Sequence, residues 1–264
     1  MVKEFEHTNY WALILGGSAG MGLATAKKLA QHGCNIIIVF RSARVDLPAI
    51  EKEFELLKAS GISLLTFNED AMNADKRAAM ISHITEKLGQ AGKIRALVHS
   101  IAKGNLKPME GEGALLQNDD FHLTLDSMAI SLYDWTRGLF EKKLFAADAR
   151  IISFTSEGNK KAVKNYAAVS AAKAALEAIS RNIALEFAPF GIRANCIQAG
   201  VTDTASFRKI PGHEAIKETA LQRNPFKRIT TPEDVANVAY LLCKDDAAWI
   251  NGTVIIADGG ENIS

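Results

Sequence analysis

Seven short apolar runs alternate with longer segments of helical periodicity from end to end of this chain, and that alternation restricts the fold more than any other feature. The runs at 11–15, 34–40, 62–67, 94–99, 150–154, 192–197 and 253–257 read as buried strands. Between them, 22–31, 46–59, 75–88 and 167–187 repeat their apolar residues at helical spacing. Strands joined through helices make right-handed crossovers, which lay the strands parallel and cover both faces of the sheet. The expected architecture is α/β: a doubly wound, Rossmann-like, seven-stranded parallel sheet between two helical layers. No repeat, low-complexity tract or linker interrupts it, so residues 1–264 read as a single domain.

Charge and composition narrow the function. Basic and acidic residues number 31 and 30, a net charge of +1, which carries no footprint of a nucleic-acid or membrane-surface binder. Purely apolar runs such as 36–40 are far too short to span a bilayer, and the opening MVKEFEHTNYW lacks the apolar core of a secretory signal. Cys34, Cys196 and Cys243 are odd in number and widely spaced, which argues against a disulfide framework and for a reducing, cytoplasmic location. The six histidines show no metal-ligand spacing, so no metal is expected. His99, Trp135 and Phe140 read as packed residues rather than as ligand contacts.

In an open parallel sheet, loops at the carboxyl ends of the strands form the ligand crevice. Two irregular stretches leave strands at that edge, 103–118 and 200–225, and substrate is expected there. Within the second, 205–223 is expected to act as a lid.

The first strand runs into Leu15-Gly16-Gly17-Ser18-Ala19-Gly20-Met21-Gly22 and then a helix. Glycines at such a turn let backbone N–H groups approach a pyrophosphate, and the helix N-terminus behind them presents further N–H groups and partial positive charge. The spacing G-x-x-x-G-x-G resembles the loop of short-chain dehydrogenases/reductases, with Leu15 where that family has threonine. At the end of the second strand stand Arg41 and Arg44, where an acid would select NADH. Two guanidinium groups suit a 2′-phosphate, so NADPH is the expected cofactor over NADH. Asp70-Ala71, after the third strand, matches the family's pair that receives the adenine.

The chemical signal lies between 165 and 177. Most short-chain reductases carry Y-x-x-x-K, but here Val169 occupies that tyrosine position and Tyr166 lies seven residues before Lys173. On a continuous helix, seven residues turn about 700°, so both side chains would share a face, with the tyrosine about 4.5 Å further back along the axis. In conjugate reduction the carbonyl oxygen lies two carbons from the hydride acceptor, and a phenol set further back suits it.

Y-x6-K also makes the chain resemble, over nearly its whole length, the divergent short-chain family of enoyl-[acyl-carrier-protein] reductases. Leu97-Val98-His99-Ser100-Ile101-Ala102 is similar to their H-S-I segment, and Ala199-Gly200-Val201-Thr202-Asp203-Thr204 to their A-G-P-I-x-T. Thr231-Pro232-Glu233-Asp234-Val235 and Asp258-Gly259-Gly260 fit signatures common to both groups. Two departures stand out. Ser156 replaces a second tyrosine and sits where an ordinary member keeps its catalytic serine, and Gly22 replaces an alanine.

The resemblance implies roles. Tyr166 would stabilise the oxyanion, Lys173 would hold the nicotinamide ribose and lower the phenol pKa, and Ser156 would assist. Gly16, Ser18, Ala19, Gly20, Met21, Gly22, Arg41, Asp70, Ala71, Ser100, Ile101, Ala102, Gly200, Thr202 and Thr204 would contact the cofactor, Thr204 at the pyrophosphate and Thr202 beside the nicotinamide. It further implies an acyl thioester substrate on acyl carrier protein, fatty-acid or related biosynthesis, and a homotetramer packed through the alanine-rich helix. A 3-oxoacyl or other carbonyl reductase is the alternative kept open by Ser156; a non-catalytic NADP(H)-binding sensor is a third.

Overall fold

The computed structural model describes residues 3–264. Its strands are β1 (Tyr10–Leu15), β2 (Asn35–Phe40), β3 (Leu64–Asn68), β4 (Lys93–His99), β5 (Phe145–Ser156), β6 (Ile192–Ala199) and β7 (Val254–Ala257). All pair in parallel in one sheet, ordered β3-β2-β1-β4-β5-β6-β7. The order reverses between β1 and β4, which opens a crevice at their carboxyl ends.

The helices are α1 (Gly20–Gln31), α2 (Leu47–Lys58), α3 (Ala74–Leu88), α4 (Asn118–Leu125), α5 (Ser131–Glu141), α6 (Ala167–Glu186), α7 (His213–Arg223) and α8 (Pro232–Cys243). Successive strand residues point to opposite faces, so each central strand feeds two cores. Ile14, Ile38 and Val98 pack with α1, α2 and α8 on one side, while Leu13, Val39 and Leu97 pack with α3, α5 and α6 on the other. This two-sided burial is why β1, β2 and β4 are almost continuously apolar. Trp135 is fully buried in the second core, its indole N–H on the Ala71 carbonyl at 3.1 Å; Phe140 is half-buried against Phe187 and Phe190.

At the opposite edge of the sheet the chain is bolted by arginines. A register irregularity in β4 around Arg95 lets this side chain reach the end of α8, donating to the Cys243 carbonyl at 2.8 Å. Arg150 donates to the Leu242 carbonyl at 2.9 Å, and Arg95, Arg150 and Arg193 all converge on Asp148. Guanidinium groups on the last carbonyls of a helix satisfy orphan acceptors and complement its dipole.

Several expectations need adjusting. β5 reaches back to Phe145, α1 begins at Gly20, and 200–225 is not irregular throughout. It holds α7, whose weak apolar periodicity hid it. Among the described residues no helix is long and apolar enough to cross a membrane, and the three cysteines are buried and unpaired.

Candidate active site

The turn from β1 into α1 is built by close backbone approach. A Cβ on Gly16, whose φ is +83°, would lie 2.4 Å from the Ser100 carbonyl oxygen. One on Gly22 would lie 2.3 Å from the Gly16 carbonyl oxygen and 3.1 Å from the Ser100 hydroxyl. Glycine at 22 therefore lets the first turn of α1 sit directly on the loop, with the Ser100-Ile101-Ala102 segment beneath. The N-terminus of α1 has no side-chain cap at Ala19 and no acid in its first turn, unlike α8, where Thr231 and Asp234 form a capping box. Its N–H groups are available to an anion, and the Thr204 methyl lies 3.4 Å from where a Gly20 Cβ would be. Ser18, Gly20 and Met21 complete this rim. A pyrophosphate fits such a cradle.

Beyond it, Arg41 does not stand free: its Nη1 is 2.7 Å from Asp70 Oδ2, while Asp70 Oδ1 accepts from the Met72 amide at 3.0 Å. The arginine is 67% exposed, so this pair is weak and open to exchange for a phosphate. Arg44 lies exposed on the following turn. Ala71 is buried and spends its carbonyl on Trp135. Thr202 is buried too, and its hydroxyl donates to the Gly200 carbonyl at 2.9 Å.

A cavity of about 530 Å³ opens beside this surface, lined by Met128, Val169, Ile210 and Ile216 among apolar side chains and by Ser156, Tyr166 and Lys173 among polar ones. The stretch 103–118 contributes Gly104 and Leu106, and α7 forms part of the wall. Met128 stands on a widened helical turn, Asp126–Ile130, between α4 and α5. Such π turns are frequent at functional sites.

The catalytic geometry differs from a continuous helix. α6 starts at Ala167, and Tyr166 is its N-cap with φ −114° and ψ 6°. Asn165 before it is left-handed at φ +62°. The phenol and lysine line the same cavity, and the phenol hydroxyl lies 3.5 Å from Ser156 Oγ at the end of β5. Gly158 makes room, because a Cβ there would be 2.6 Å from the Tyr166 ring. Val169, the position one turn before Lys173, is buried with Met128 and Ala172. A hydrocarbon occupies the place of the usual proton donor.

Lys173 is 8% exposed, and its ammonium donates to the Phe154 carbonyl at 2.6 Å. Burial lowers its pKa to about 8, opposed by Cys196 and Glu177. Burial pushes the Tyr166 phenol up, with the Ser156 hydrogen bond pulling it down. The expectation that Lys173 depresses the phenol is thus corrected: the lysine faces the backbone, and Tyr166 stays protonated. His99 is buried, shares a 2.7 Å hydrogen bond with Ser131, and has its pKa lowered to about 3 by burial and then by the charge of Lys173. It is a neutral packed residue.

Sequence reasoning missed three supports: Gly158 under the tyrosine ring, Glu177 behind Lys173, and Arg223. The last bridges Glu157 at 3.1 Å and the Glu261 carbonyl at 2.7 Å, tying α7 to the loop after β5. Only Glu177 left a trace, a carboxylate one helical turn after the lysine. Among the described residues no acid, histidine or cysteine cluster could hold a metal.

The family model described as Enoyl-(Acyl carrier protein) reductase matches residues 16–262. The chain is 29% identical over 259 residues to the NADPH-dependent enoyl-[acyl-carrier-protein] reductase of Staphylococcus aureus, covering 97% of each. It is 28% identical over 250 residues to the peroxisomal 2,4-dienoyl-CoA reductase of Pongo abelii, covering 94% of this chain and 82% of that one. Against the 3-oxoacyl-[acyl-carrier-protein] reductase of Pseudomonas aeruginosa it is 29% identical over 253 residues, 96% and 97% of the two chains. The crystal structure of the Bacillus cereus enoyl-acyl carrier protein reductase with NADP+ and an indole naphthyridinone superposes with a TM-score of 0.87 at 26% identity, over 100% of this chain and 99% of that one.

Proposed function

The chain belongs to the enoyl-(acyl carrier protein) reductase family of short-chain dehydrogenases/reductases, and on that premise we propose that it reduces the carbon–carbon double bond of an enoyl thioester with NADPH. The observation that carries this reading is the exchange of places at α6: Val169 is a buried hydrocarbon, and the phenol comes instead from the N-cap at Tyr166. A donor moved away from the position one turn before Lys173 suits a carbonyl oxygen two carbons from the reacting carbon.

The glycine cradle and uncapped α1 fit a dinucleotide pyrophosphate, with Thr204 beside it and Lys173 near the ribose. When bound, the cofactor supplies hydride. Tyr166, held neutral by burial, donates a hydrogen bond to the thioester oxygen as negative charge gathers there. Ser156 gives that oxygen or the phenol a second hydroxyl. Arg41, released from Asp70, binds the 2′-phosphate and sets the choice of NADPH. The apolar wall from Met128 to Ile216 houses the acyl chain, which acyl carrier protein delivers at the cavity mouth. A homotetramer is supported by the exposed Ala171, Ala174 and Leu185 on α6 together with exposed Ile130 and Tyr133; sedimentation of the purified chain as a monomer would remove that part. Three buried free thiols support a reducing cytoplasm.

The 3.5 Å approach of Ser156 to Tyr166 favours a second reading, a carbonyl reductase whose serine and tyrosine together protonate a ketone oxygen. Crotonyl and acetoacetyl thioesters, tested in parallel with NADPH and NADH, separate the two. We expect crotonyl reduction with NADPH at the higher kcat/KM. Turnover of acetoacetyl thioester alone would overturn the enoyl reading.

A further inference from the structure

Three side chains of α6 grip the end of β5 and the turn that follows it. Lys173 holds the Phe154 carbonyl at 2.6 Å, and the Ser170 hydroxyl donates to the Gly158 carbonyl. Glu177 takes two points at once: its Oε1 accepts from the Thr155 hydroxyl at 2.7 Å and from the Asn159 side-chain amide. Those two residues bracket Ser156 and Gly158, the hydroxyl beside the phenol and the glycine beneath its ring. Glu177 is 7% exposed, so its hydrogen bonds form in a poorly solvated layer where an unmatched carboxylate would be costly.

The same carboxylate sits one helical turn from Lys173. Around that ammonium, Cys196 on β6 is a thiol whose pKa is raised by burial, His99 on β4 is neutral, and Tyr166 is a protonated phenol. Desolvation lowers the proton affinity of this ammonium, and the electrostatic pull of Cys196 and then of Glu177 opposes it.

We propose that Glu177 is a positioning residue of the reduction: from one helical turn after Lys173 it fixes the 155–159 segment so that Ser156 and Gly158 present Tyr166 to the substrate. It touches neither substrate nor cofactor. The catalytic half of this statement rests on the reductase reading; the hold on the 155–159 segment does not.

The test uses Glu177→Gln, which keeps an acceptor for Thr155 and Asn159 but removes the charge, and Glu177→Ala, which removes both. Lysine side chains are titrated by isotope-edited NMR in the full-length protein, with Lys173→Met to assign the resonance. Crotonyl and acetoacetyl thioester turnover with NADPH is measured on the same samples. In Glu177→Gln we expect the Lys173 titration to move about one pH unit lower, kcat to fall about tenfold, and KM for the thioester to stay within about twofold. Glu177→Ala should lose about a hundredfold in kcat, or fail to fold, in which case Thr155→Val replaces it with a loss of about tenfold. A Gln variant with the wild-type Lys173 titration and wild-type kcat overturns the proposal, even if the Ala variant is unstable. Should the wild type reduce neither thioester, the reductase reading fails while the NMR titration still decides the charge relation.

Discussion

Gly22→Ala separates two accounts of the loop between β1 and α1. By helix propensity alone, alanine in the first turn of α1 should stabilise the protein by about 1 kcal/mol. The structure says otherwise, because the new Cβ would lie 2.3 Å from the Gly16 carbonyl oxygen, a backbone atom with no side-chain freedom to withdraw. Overpacking of that kind costs about 3 kcal/mol at the upper end of its range, leaving a net loss of about 2 kcal/mol. Two companions calibrate the number. Gly61 has φ +83° with nothing within 4 Å of its would-be Cβ, so Gly61→Ala carries only the left-handed backbone penalty, about 1–2 kcal/mol. Gly16 has the same φ and a 2.4 Å clash with the Ser100 carbonyl, so Gly16→Ala should exceed either alone. Urea denaturation with unchanged m-values reads the three losses. Titration of NADPH fluorescence should show affinity lost by about tenfold or more in Gly22→Ala, for about one charge-assisted hydrogen bond, and unchanged in Gly61→Ala. A Gly22→Ala protein as stable as wild type, binding NADPH normally, would refute the backbone-contact account of this loop.

Other outcomes follow from the same geometry. Tyr166→Phe should lower kcat for enoyl reduction by about 10²–10³ with NADPH affinity nearly intact, Ser156→Ala by only about tenfold, and Lys173→Ala should weaken both turnover and NADPH binding; the reverse ranking of Ser156 and Tyr166 would favour the carbonyl reductase. Arg41→Asp should raise the KM for NADPH far more than that for NADH, which steady-state kinetics with both cofactors would show. Asp148 is held at a pKa of about 2, below its ordinary 3.8, by Arg150 and Arg95 against the cost of burial. A depressed carboxylate contributes stability above its unfolded pKa and loses it as pH falls through the folded one. Thermal melts should therefore show Tm dropping between about pH 4 and pH 2 in wild type, and Asp148→Asn should flatten that drop and melt lower at neutral pH.

The sheet was legible because its central strands are buried on both faces, which leaves unmistakable runs such as Ile36–Phe40 between helices of strong periodicity. The turn from β1 into α1 was legible because glycine at 16 and 22 answers a steric demand that shows in the spacing. α7 was not: His213–Arg223 has almost no apolar stripe, and its place is set by ion pairs such as Lys217 with Asp203 and Arg223 with Glu157. Tyr166 shows a subtler limit. Counting seven residues back from Lys173 pointed to Tyr166, but the count assumed a continuous helix, whereas α6 begins at Ala167, and only the fold places the phenol beside Ser156. Glu177 was passed over because a glutamate in a helix looks like solvent-facing charge until Thr155 and Asn159 are seen to claim it.

The arginine cluster at the far edge of the sheet bears on how such a scaffold can change its chemistry. Arg95 and Arg150 rivet β4 and β5 to the tail of α8, and Arg193 ties β6 to Asp148 and to the Ala248 carbonyl beyond it, on the side away from every group proposed to meet substrate. The foundation of the fold and its working rim are thus physically separate. Changes confined to the stretch 200–225 at the rim would leave the arginine ties of the foundation untouched.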